Sequence, residues 1–144
     1  MDFSPIYLDN NATTPVDDRV FEAMAPYFKE CFGNAASAAH AFGMKAKKAV
    51  EDSRIEIAER LNSRPNEIIF TSGATESDNL AVLGCFHDNN QAKNHIITSA
   101  IEHKAVLDAC RYAERKLNAS LTILPVDSEG FISIDDLKNA ITDK

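Results

Sequence analysis

The feature that most narrows the fold lies in the second half of the chain, where the rhythm of the residues changes repeatedly. Short segments rich in Ile, Leu and Thr, "EIIFT" at 67–71, "HIITS" at 95–99 and "SLTILPV" at 120–126, alternate with stretches of helical period. None alternates cleanly between apolar and polar residues, the pattern of strands covered on both faces. The helices between them are predicted at 76–88 and 104–117, the second with an apolar stripe of Val106, Cys110, Ala113 and Leu117. "SIDDLKNAI" closes the chain as a helix with Ser133 as its N-cap. Such alternation predicts an α/β sandwich with a largely parallel sheet, whose ligands sit at the carboxyl ends of the strands.

Residues 1–62 follow a different pattern and are expected to form an N-terminal helical segment ahead of the α/β part at 63–144. Turn formers punctuate the start: Pro5, Asn10, Asn11, Pro15, Gly33 and Asn34. Between them "DDRVFEAMAPYFKECF" is a helix with acidic residues in its first turn, which Pro26 should kink or divide. A longer helix is predicted over 42–61, with Ala46, Ala49, Val50, Ser53, Ile57 and Leu61 as its apolar face.

A net charge of −7 with scattered basic residues argues against a nucleic-acid partner, since Lys45, Lys47 and Lys48 fit the solvated side of one helix. No apolar stretch is long enough to span a membrane, and "MDFSPIYLDN" lacks the regions of a secretory signal. Cys31, Cys85 and Cys110 are odd in number and form no CxxC pair, which favours reduced thiols and a cytoplasmic setting. The four histidines are equally dispersed, so no metal site is expected.

Four stretches could carry chemistry. In "TSGATESDNL", Gly73 allows a sharp turn, Ala74 keeps the approach open, and Thr75 and Ser77 add hydroxyl donors at a helix start suited to phosphate. Glu76 would repel a phosphate there unless it points away, and the same residues also describe an ordinary capped turn. No lysine follows with P-loop spacing, which argues against a nucleoside triphosphate. In "IEHKAVLD", His103 stands at the next helix start, where an imidazole can stack on a ring, shuttle protons or simply face solvent. "YLDNNATTPVD" and "FGNAASAAHAFG" read locally as hydrogen-bonded loops.

Together these four stretches resemble, in order and spacing, the N-terminal part of the cysteine desulfurases, enzymes of the class V aminotransferase group that use pyridoxal 5'-phosphate. The resemblance implies a partial pyridoxal-phosphate-dependent transferase domain of fold type I, a three-layer α/β/α sandwich, with 63–144 as the incomplete first half of the cofactor domain. It implies that Gly73, Ala74 and Thr75 hold the cofactor phosphate, that His103 stacks on its ring and moves protons, and that Asn11 and Asn34 line the substrate end. The implied substrate is L-cysteine, which gives up sulfur to an enzyme persulfide for iron–sulfur cluster or thio-cofactor synthesis and leaves alanine. A homodimer and a sulfur-acceptor or scaffold protein are the implied partners.

The resemblance also implies that the cofactor-binding lysine and the persulfide cysteine lie beyond Lys144, so the chain alone should be inactive. Lys104 belongs to a helix start, and the three cysteines are expected to be packing residues with ordinary thiol pKa values. Ala35 stands where the family usually has proline. If "EIIFT" keeps the family's sheet position it lacks neighbours and must re-pair or stay unpaired. Two other readings remain: a non-catalytic binding or dimerisation module, and part of a related class V aminotransferase or selenocysteine lyase.

Overall fold

The computed structural model describes residues 5–86 and 94–143 of the 144. The chain divides into two compact units, Met1–Ile69 and Phe70–Lys144.

In the first unit, helix α1 (Asp18–Lys29) begins where the Asp17 carboxylate accepts the Arg19 N–H at 2.9 Å. The Arg19 guanidinium beside it holds the Asp17 carboxyl below its usual range. The helix is not divided at Pro26, contrary to one expectation from the sequence. Pro26 lies in the final turn, where its missing N–H costs one bond. Its carbonyl accepts from both Glu30 and Cys31 at 2.9 Å as the helix ends.

Helix α2 (Ala41–Arg60) is capped by His40, whose Nδ1 accepts the Gly43 N–H at 3.2 Å. Its buried residues are Gly43, Ala46 and Ala58, whereas Val50, Ile57 and Leu61 are exposed. The stripe expected from the sequence is therefore displaced toward the small residues. The reason is a close approach of backbone: a Cβ on Gly43 would stand 1.7 Å from the Ser37 carbonyl oxygen, and one on Gly33 would stand 2.2 Å from that of Phe42. The 33–40 loop lies directly on the start of the helix, and large side chains would hold it off.

A single 3-10 turn, Pro65–Glu67, follows, with the Glu67 carboxylate accepting the Arg64 N–H at 2.8 Å. The segment "EIIFT" is not a strand. After the turn the backbone is extended at Ile68, whose carbonyl accepts from the Arg54 guanidinium, while Ile69 is 66% exposed. Its residues are strand formers, but they pair with no strand among the described residues.

The second unit carries α3 (Ala74–Gly84), β1 (His95–Ser99), α4 (Lys104–Lys116), β2 (Ser120–Leu124) and α5 (Ile134–Ala140). Residues 87 and 88 of the expected helix 76–88 lie outside the described residues, and α3 starts two residues earlier than expected. β1 and β2 pair in parallel from His95↔Ser120 to Ser99↔Leu124, with α4 as their crossover. The expected strand 120–126 stops at Leu124, and Val126 instead bridges antiparallel to Ile132. Ser133 caps α5 as expected, its hydroxyl accepting the Asp136 N–H at 3.1 Å.

Packing of α4 against α3 and β2 buries Ala109, Cys110, Ala113, Ala119 and Leu124. Helices and a parallel sheet make this a partial α/β domain. Most of the buried side chains are alanine, and the cost is visible at the surface. Large apolar side chains stay exposed, among them Phe28 in the first unit and Phe131 in the second, at 71% and 66%. Among the described residues no helix is long and apolar enough to cross a membrane, and no cluster could hold a metal ion.

Candidate functional site

The start of α3 is built by two cross-links over Gly73. The Glu76 carboxylate turns back and accepts from the Ser72 N–H at 2.6 Å and the Ser72 hydroxyl at 2.7 Å. Thr71 Oγ1 and Ser77 Oγ lie 2.7 Å apart, and the Thr71 hydroxyl also lies 3.2 Å from the Gly73 carbonyl. Ser77 Oγ, expected from the sequence to serve as a ligand donor, is thus engaged within the loop. The bonds from Ser72 keep the Glu76 carboxyl below its usual range, and they hold it turned back onto that residue.

Gly73 has φ 158° and ψ −177°, a positive φ at the edge of the range that L side chains rarely adopt, and among the described residues a Cβ there would meet no atom within 4 Å. Packing in the chain therefore does not call for glycine; what glycine leaves is an open approach to the helix start. Among the described residues the N–H groups of Ala74 and Thr75 and the Thr75 hydroxyl have no partner. Those donors sit at the positive end of the helix dipole.

β1 ends at Ser99, and the Ser99 hydroxyl donates to Glu102 at 3.3 Å in the turn that leads to α4. His103 is the N-cap of α4, its Nδ1 accepting the Ala105 N–H at 3.1 Å. Because that lone pair is committed, the proton of the neutral ring is on Nε2. Thr75 and Ala105, each in the first turn of its helix, line one groove of about 300 Å³ with Asn79, Leu83, Asp108, Ala109 and Tyr112. The groove runs between the facing sides of α3 and α4, and of the predicted site residues Thr75 lines it while Gly73, Ala74 and His103 do not.

Asn11 and Asn34 belong to the first unit. Asn11 occupies the exposed turn that Asp9 closes by accepting the Ala12 N–H at 3.1 Å. Asn34 opens a turn in which its Oδ1 accepts the Ala36 N–H and its carbonyl the Ser37 N–H, both at 2.9 Å. Its Nδ2 is left to donate elsewhere.

Lys104 pairs with Asp108 at 3.1 Å on the face of α4. The cysteines differ from the uniform expectation. Cys110 is buried, and desolvation pushes its thiol above the ordinary value. Cys85 is exposed just past the end of α3, its thiol 3.2 Å from the Ala81 carbonyl, so it is not a packing residue. Cys31 is half-buried near Lys45, whose ammonium is held above its usual range chiefly by a hydrogen bond to that sulfur. The roles of Ser72 and Glu76 were not legible in the sequence, although Glu three residues after a turn glycine is the spacing of a capping carboxylate.

In parallel α/β units of this kind, ligands bind at the carboxyl ends of the strands, where the turn into α4 lies. The chain belongs to the family described as Aminotransferase class-V, whose pattern matches residues 6–144. It is 54% identical over 140 residues to cysteine desulfurase IscS of Rickettsia akari, covering 97% of this chain and 34% of that protein. The corresponding protein of Rickettsia bellii is 53% identical over the same length. Among solved structures, a NifS-like protein matches with a TM-score of 0.81 and 42% identity over 94% of this chain and 37% of that one. The chain spans about a third of the length of the curated relatives it matches.

Proposed function

We propose that these residues form part of a pyridoxal 5'-phosphate-dependent cysteine desulfurase, which takes sulfur from L-cysteine and leaves alanine. The observation that carries the reading is the 54% identity to a cysteine desulfurase over 97% of the chain. The donor set fits the cofactor: two N–H groups, a threonine hydroxyl and an open glycine face suit a phosphate dianion. When bound, the cofactor would supply the electron sink that weakens bonds at the substrate's α carbon.

The chain's own residues would then divide the remaining work. Ala74 and Thr75 hold the phosphate through their N–H groups, Thr75 adds its hydroxyl, and Gly73 keeps the approach clear. His103 would stack on the ring and hold the transferable proton at Nε2, because Nδ1 is occupied by the Ala105 N–H. Asn34, through Nδ2, and Asn11 donate to the substrate end. Lys104 is tied to Asp108 and the Cys110 thiol is buried and kept protonated, so neither serves as cofactor anchor or sulfur acceptor.

In the whole protein, the surface that these residues leave uncovered would be covered by the remaining chain and by a second copy in a homodimer. A persulfide cysteine would hand sulfur to an acceptor or scaffold protein for iron–sulfur cluster or thio-cofactor synthesis.

The test is complementation. The chain is mixed with the part of the Rickettsia akari relative that it does not match, and sulfide and alanine release from L-cysteine are followed. Turnover by the mixture, absent from either part and lost with His103→Ala, supports the reading. Turnover by the 144-residue chain alone would refute the assignment of its residues.

A further inference from the structure

We infer that Glu76 is a positioning residue, whose clasp on Ser72 sets the Gly73 turn so that the Ala74 and Thr75 N–H groups converge on one phosphate. The inference rests on the phosphate reading above and adds a residue to it. A carboxylate in the first turn of a phosphate-binding helix is on its face unfavourable, since like charges repel at close range. Here the carboxylate is turned back onto Ser72, at 2.6 and 2.7 Å, and spends its charge on two donors on the far side of Gly73.

That arrangement does two things. It fixes a glycine, which otherwise has the largest backbone freedom of any residue. It also removes the Ser72 N–H as a competing donor, leaving the Ala74 and Thr75 groups without a partner among the described residues. The Thr71–Ser77 hydroxyl pair at 2.7 Å closes the same turn from its other side. The donors are thus held before a ligand arrives, which lowers the ordering cost of binding.

The role needs an acceptor at residue 76 and does not need a charge, and this separates it from a general contribution to stability. The 15N-labelled 144-residue chain is titrated with pyridoxamine 5'-phosphate, whose amine does not condense with surface lysines, and with phosphate-free pyridoxamine as control. The unchanged chain is expected to show phosphate-dependent shifts at the Ala74 and Thr75 amides and a slowly exchanging Ser72 amide.

Glu76→Gln keeps an oxygen acceptor and loses the charge, so its affinity should equal or exceed that of the unchanged chain. Glu76→Ala should bind about tenfold more weakly, in line with the loss of a helix-start acceptor, and its Ser72 amide should exchange faster. Ser72→Ala, which removes one of the two bonds, should weaken binding by about threefold and covers the case in which Glu76→Ala does not fold. Full affinity in Glu76→Ala, or equal losses in Glu76→Gln and Glu76→Ala, would overturn the inference while leaving the phosphate site intact. An unchanged chain without any phosphate-dependent shift would overturn the site itself, and the inference with it.

Discussion

Replacing Gly43 by alanine tests whether the contact between the 33–40 loop and α2 organises the first unit. The added Cβ would stand 1.7 Å from the Ser37 carbonyl oxygen and 3.0 Å from that of Asn34, so backbone must move. Forced repacking of this kind costs about 1–3 kcal/mol. Displacing the loop also strains the His40 cap, in which Nδ1 accepts the Gly43 N–H at 3.2 Å, worth about 1 kcal/mol. Alanine's better helix propensity offsets about 1 kcal/mol of this. The net expectation is a loss of about 1–3 kcal/mol. Gly84→Ala is the control: among the described residues no atom lies within 4 Å of its Cβ position, so propensity is what acts and a gain of up to about 1 kcal/mol is expected. Urea titrations followed by far-UV circular dichroism compare the two. A Gly43→Ala chain as stable as Gly84→Ala would refute the close-approach argument, and with it the account of why the buried line of α2 runs through small residues.

Three further outcomes follow from the same geometry. Leu124→Ala removes the large aliphatic side chain that β2 buries in the second unit, and should cost about 2–5 kcal/mol in the same titration. Ala35→Pro should stabilise by about 0.4–1 kcal/mol, because Ala35 is the second residue of the Asn34–Ser37 turn and its N–H has no partner among the described residues; a loss of stability there would mean that the turn differs from the one described. The carboxyls of Asp17, Glu67 and Glu76 are held below their ordinary values, by the side chains of Arg19, Arg64 and Ser72 respectively. Groups depressed in this way stabilise fully above the unfolded-chain values, about 3.9–4.3, and lose that contribution as pH falls through the folded ones. Protection of the Ser72 amide, its exchange rate compared with the intrinsic rate at the same pH, should therefore fall on acidification below about pH 4, and Glu76→Gln should remove that acid dependence.

Much of the architecture was legible in sequence because local rules and tertiary packing agree there. Ser133, with an acidic first turn behind it, caps α5 as its residue type demands. Of the stripe expected on α4, Cys110 and Ala113 are buried and Val106 half-buried, because the helical period faces the sheet it crosses, while Leu117 at the helix end is exposed. The site's helix starts were legible for the same reason: glycine, small hydroxyl residues and a histidine lie where short loops must turn.

What the sequence alone determined is the menu of local structures, since propensity, capping and periodicity act over a few residues. It also carried the family resemblance through four ordered motifs. Only the tertiary structure decided which candidates are used. "EIIFT" has the residues of a strand, yet a strand exists only where a neighbour accepts its ladder, and Ile68 meets the Arg54 guanidinium instead. The larger aliphatic residues of α2 are outranked by Gly43 because only a glycine lets the 33–40 loop reach the helix backbone. Glu76, one acidic residue among many in the sequence, is given its direction by Ser72, four residues back and on the other side of a turn.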